Sequence, residues 1–262
     1  MKHTVCAVLT ILSHVVIATD ETPKSLEQVH FVRYEDFPHV LFTRDTSLTQ
    51  AVLRDNIAVA NAILVDEPTL LHRMTTGVSG FSGLPIQAAR SVAMAQFLID
   101  QGALDNPAET VTLLHATMDA DIPSTVVHLY LDRGITPLSL NALHFTPLMK
   151  LALQSDGYAD SNECLKKAQL MLEKLKPHEQ YALFSVHDLA CGRDIFACLK
   201  QIEEDDFVDI DDHKNSCLDL QSYLKKHYET NIKPYFKIEG YGENCSLIIK
   251  RQPEKNTTNP HH

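Results

Sequence analysis

Three stretches of this chain read as variants of one short phrase: Thr112–Leu113–Leu114–His115–Ala116–Thr117, Thr146–Pro147–Leu148–Met149–Lys150–Leu151–Ala152 and Leu84–Pro85–Ile86–Gln87–Ala88–Ala89. After two of them comes an apolar run closed by glycine, Met94 to Leu98 before Gly102 and Val126 to Leu131 before Gly134. A fainter copy opens at Ser47, with Ala51, Val52 and Leu53, then Asn56 at a turn, then Ala60, Ile63 and Leu64; two more open at Leu183 and Ser216. From Ser47 through Leu84, Thr112, Thr146 and Leu183 to Ser216 the steps are 37, 28, 34, 37 and 33 residues. A unit that recurs at such a period is too small to bury its own apolar face, so it must stack on its neighbours. Within each unit the Thr offers its hydroxyl to the orphan N–H groups of the first helix, and Pro fits the first turn where its missing donor costs little.

The phrase T-P-L-H-x-A at a period of roughly 33 residues is that of the ankyrin repeat, and from about residue 44 to 230 the chain resembles the ankyrin-repeat family. The resemblance implies an all-α solenoid of about five helix–turn–helix repeats with short projecting fingers; beyond it, alternation of the chain predicts a small C-terminal β-hairpin. In that family the His bonds between repeats, so His115 is read as structural, while Gln87, Met149 and Asp219 in its place imply weaker coupling. The implied function is non-catalytic protein–protein recognition by a monomer without cofactor or metal, the partner being another protein of unspecified identity.

Residues 1–18 read as a secretory signal: Lys2 precedes an apolar run from Thr4 to Ala18, after which the chain turns polar at Thr19–Asp20–Glu21. Cleavage is expected after Ala18, where Val16–Ile17–Ala18 offers small residues at the positions a signal peptidase reads, and the run is short for a membrane span of about 20 residues. A signal-like start before divergent repeats resembles secreted or periplasmic bacterial ankyrin proteins, which implies an exported effector or periplasmic binding protein. Residues 19–46, with Val29, Phe31, Val32 and Phe42, are expected to cap the first of the repeats at 47–230. The remaining residues, 231–262, should form a hairpin over Tyr235–Glu239 and Cys245–Lys250 and a disordered polar tail.

Composition removes whole classes of function. A formal net charge of −11 lacks the basic footprint that nucleic acid requires. With 9 Gly there is neither a G-x-G-x-x-G nor a G-x-x-x-x-G-K-[ST] phosphate cradle. Beyond residues 1–18 no apolar stretch is long enough for a membrane. The acidic run Glu203 to Asp212 fails as a calcium loop, since counting from Asp209 puts Lys214 sixth and Leu220 twelfth, where Gly and Glu are needed. Cysteines have no C-x-x-C pairing and are read as buried small apolar residues.

Binding is expected on the finger side, with Phe81, Asp105, His144, Asp209 and Asp211 as candidate partner-binding residues. Phe81 is an aromatic in a Gly- and Ser-rich turn, and aromatics are enriched at interface hot spots; the opposing reading tucks it against its own unit. The aspartates offer an electrostatic contact to a basic partner or are merely solvated. Two rivals stand beside this reading. One is an intracellular regulator whose N-terminus is an anchor; the other is a small enzyme using Cys191 with His187, or Cys198 with His178 or His187.

Overall fold

The computed structural model describes residues 26–33, 42–78, 80–106, 110–154, 161–187, 194–198, 214–242 and 246–252. Local chemistry sets most helix starts. Helix α1 (Ser47–Leu53) begins where the Asp45 carboxylate accepts the Ser47 N–H at 2.8 Å, and the bonds to Ser47 hold that carboxyl below its usual range. Helix α2 (Ile57–Asp66) is capped by Asn56, whose Oδ1 accepts from Val59 N–H at 3.1 Å. Ser91 caps α3 (Val92–Asp100) through Met94 N–H, and Thr146 caps α6 (Pro147–Leu153) through Met149 N–H, both at 3.1 Å. Between these lie α4 (Leu113–Ala116) and α5 (Ser124–Asp132), and after them α7 (Ser161–Glu173), α8 (Pro177–Ser185) and α9 (Lys214–His227). Gly102 and Gly134 end α3 and α5 at φ of 95° and 84°, with Ala103 N–H returning to Leu98 O and Ile135 N–H to Tyr130 O. Positive φ is the conformation that glycine adopts without a Cβ penalty.

These helices pack in pairs. The 3₁₀ turn Pro85–Ala88 partners α3, and it sits between α1 and α4, while α4 packs on α6; among the second members, α3 packs on α5 and α5 on α7. Leu98, Leu113, Leu114, Tyr130 and Leu148 are fully buried along this row. Polar side chains stitch the units together. Gln87 accepts the Leu84 N–H through Oε1 and donates Nε2 to Thr112 Oγ1, both at 2.9 Å, so the residue expected to weaken coupling makes a bond between units instead. Thr112 thereby spends its hydroxyl on Gln87 and forms no side-chain cap on α4, against the sequence expectation. Tyr130 donates its buried hydroxyl to Ile86 O at 3.0 Å, and His115 Nε2–H donates to Phe145 O at 2.7 Å.

The all-α solenoid is corrected by the strands. Among the described residues β1 (Leu26–His30), β2 (Val32–Arg33), β3 (Thr75–Val78), β4 (Phe81–Gly83), β5 (Ser139–Leu140), β6 (Phe236–Gly242) and β7 (Ser246–Arg251) form three small sheets, and the architecture is mixed α/β. The expected C-terminal hairpin is present as β6–β7, but β1 adds antiparallel to β7, from Leu26 opposite Lys250 to His30 opposite Ser246. The next residues pair again: β2 runs parallel to β5, with Val32 opposite Ser139 and Arg33 opposite Leu140. Phe42 then bridges Met74 beside the β3–β4 hairpin. The lead-in therefore reaches three distant parts of the molecule rather than covering the first unit alone, and Val29 and Phe31 are buried in the common core. The fifth helical phrase is also displaced. Helix α8 starts at Pro177, where Lys176 N–H donates to the Glu179 carboxylate, and it ends at Ser185, so Leu183 lies near its end and not at its start.

Candidate functional site

The candidate site is the edge where the lead-in crosses the connection between α5 and α6. Asn141 organises that connection: its Oδ1 accepts from Leu143 N–H at 2.9 Å and Phe145 N–H at 3.0 Å, and its own N–H donates to Phe145 O. Such Asx bonding replaces secondary structure in a short turn. The turn forces His144 to a φ of 61°, unusual for a residue with a Cβ, and leaves Leu143 53% exposed at the tip. Beside it the β2–β5 pairing, fixed further by Val32 N–H to Leu138 O, delivers Val32, itself 45% exposed, and Arg33.

Arg33 Nη2 donates to His144 Nε2 at 2.8 Å. A guanidinium has no lone pair to offer, so the imidazole nitrogen must accept, and His144 is neutral in this contact. Burial, with the Arg33 charge second, lowers its pKa from the ordinary histidine value. The resulting patch joins two exposed aliphatic side chains, a guanidinium and a neutral imidazole. Apolar area supplies association energy, while an exposed guanidinium supplies orientation and encounter rate.

Of the three sequence-derived candidates among the described residues, Phe81, Asp105 and His144, only His144 lies in this patch. Phe81 sits in β4, half-buried against the core and against its own Gly83, where an added Cβ would come within 2.9 Å of Phe81 Cζ. Asp105 is exposed, but its carboxylate folds back over Gly102, with Oδ2 only 2.7 Å from where a Cβ would stand. No hydrogen bond or ion pair joins Phe81, Asp105 and His144 among the described residues. Asp209 and Asp211 lie outside the described residues, as does Cys191 of the alternative Cys–His pair. Cys198 is buried, and His178 Nδ1 pairs with Glu27 on β1. Sequence reasoning missed Val32, Arg33 and Leu143. Only Asn141, a turn residue two positions before Leu143, signalled the tip.

Among the described residues there is no cluster of three or more potential metal ligands, and no helix is long and apolar enough to cross a membrane. No protein-family model matches the chain, and no curated protein or solved structure matches it either. The resemblance to ankyrin repeats therefore rests on the phrases of the sequence alone.

Proposed function

We propose that this chain is a non-catalytic protein-recognition module whose contact surface is the Val32–Arg33–Leu143–His144 patch. The observation that supports this most is the Asn141 turn: three hydrogen bonds, two of them to the Asn141 side chain, hold Leu143 at the tip with 53% of it exposed. A leucine at a rigid tip loses little entropy on docking, so its burial goes into affinity. Export with removal of residues 1–18 belongs to the same proposal and is supported by the sequence alone.

The test is capture from lysate by tagged protein, followed by mass spectrometry. Leu143→Asp and Val32→Asp should lose a specific partner that wild type retains. Val65→Asp, on the 74% exposed Val65 of α2, should keep it. Equal capture by all four proteins, or none by wild type, would sink the proposal.

A further inference from the structure

A second surface is built from the turns within helix pairs rather than the connections between them. Gln50, Leu53 and Arg54 from the end of α1 and Arg90 from just before α3 line a cleft of about 390 Å³ that is open to solvent and mostly polar. In a chain carrying 34 acidic and 23 basic residues, two guanidiniums meeting in one cleft need an explanation. Arg90 is held at 2.6 Å by Asp121 from the turn between α4 and α5. Arg54 has no ion pair among the described residues. Its neighbour Asp55 accepts instead from Ser91, whose Oγ donates to Asp55 Oδ1 at 2.5 Å. The cleft is thus lined by two guanidiniums and by no carboxylate, Asp121 reaching Arg90 from outside the lining.

We propose that this cleft binds a carboxylate-bearing peptide segment of a partner protein, Arg54 taking a carboxylate through its fork and Arg90 a second one in exchange for Asp121. The assignment rests on the protein-recognition reading above and names the chemistry of a second contact. Small-molecule sites are enclosed and mainly apolar with a few convergent polar groups; this cleft is open and polar, with Leu53 as its apolar wall. Guanidinium forks match planar carboxylates in a bidentate geometry that an ammonium cannot reproduce. Gln50 is already oriented, its Nε2 donating to Thr46 Oγ1 at 2.8 Å, which leaves its Oε1 to accept a backbone N–H of the incoming segment.

Fluorescence anisotropy with a labelled peptide of alternating glutamate and leucine tests this on the full chain. Arg54→Gln combined with Arg90→Gln should weaken binding about tenfold, the scale of two exposed ion pairs, and Arg54→Lys should weaken it severalfold although the charge is kept. Asp121→Asn should tighten binding by releasing Arg90, an opposite effect that misfolding cannot mimic. No binding by wild type, equal binding by the double variant, or no gain from Asp121→Asn would overturn the proposal. So would inorganic phosphate binding the cleft as tightly as the peptide, which marks a small-anion site. If the double variant still captures the lysate partner that Leu143→Asp loses, the recognition reading stands, and failure of the peptide assay then counts against the cleft alone.

Discussion

His115 is held in an environment far from water. It is 4% exposed, donates Nε2–H to Phe145 O, and burial lowers its pKa to about 4 from the ordinary 6.5. The Phe145 and Val111 carbonyls oppose that shift and Lys150 adds to it. Because the folded pKa lies below the unfolded one, the unfolded chain binds more protons between the two values, and stability is lost as pH falls from about 6.5 towards 4. The full contribution is present above pH 6.5. By pH 4.5 the loss should reach roughly 2–3 kcal/mol. His115→Gln should flatten this part of the profile in urea titrations at the two pH values; an unchanged slope would mean that His115 is already solvated. Thr112 gives a complementary case. Thr112→Ala should cost about 1–2 kcal/mol by leaving Gln87 Nε2 without its acceptor, and Thr112→Ser should restore most of it, since the hydroxyl is what matters.

Between elements, ionic groups act as caps that no local pattern announces. The Glu163 carboxylate of α7 accepts Ser124 N–H at 2.7 Å and Ser124 Oγ at 3.2 Å, closing the N-terminus of α5 from a neighbouring helix. A negative group there satisfies an orphan donor and meets the positive end of the helix dipole. One turn further along α7, Lys167 is fully buried and donates Nζ to Thr117 O and Asp119 O at 2.9 and 2.8 Å. Burial lowers its pKa to about 8, the nearby Cys164, Glu163, Asp119 and Asp121 opposing the shift. Glu163→Ala should lower stability by about 0.5–2 kcal/mol, as loss of a cap does, while Glu163→Gln should recover part of it; a differential melt of the two variants decides. Helix starts marked by Asn56 and Thr146, and the turn with Gly77 and Gly80 at positive φ, were legible because their chemistry is local. The choice between Lys166, exposed, and Lys167, buried, was not, since adjacent residues of one type differ only in which face of α7 meets α5. The patch was missed for the same reason: Arg33 and His144 meet only through the β2–β5 pairing.

At the scale of the whole molecule, the strands alter what kind of object the helix pairs form. In a row of repeats each unit touches only its neighbours, and stability is a sum of local terms. Here β1 joins β7 near the C-terminal end, β2 joins β5 in the middle, and Phe42 meets Met74 near the first pair, so one short segment ties all three regions together. Pairing between residues so far apart leaves no periodic trace, which is why an all-α row was expected and a mixed α/β fold was found. C-terminal packing reinforces the tie: Tyr181 of α8 stacks with Tyr228 and meets Phe236 of β6, and His178 on the same helix pairs with Glu27 of β1. Phe31, 5% exposed between β1 and β2, is the apolar anchor of this segment. Phe31→Ala should cost about 3–5 kcal/mol through lost burial and the cavity left behind. If the segment couples the regions, hydrogen exchange at the Leu114 amide in the helical row and the Ile249 amide in β7 should accelerate together in that variant, because both then open through one cooperative transition. Acceleration confined to Ile249 would show instead that the helix pairs hold their stability locally and that the sheet is only an appendage.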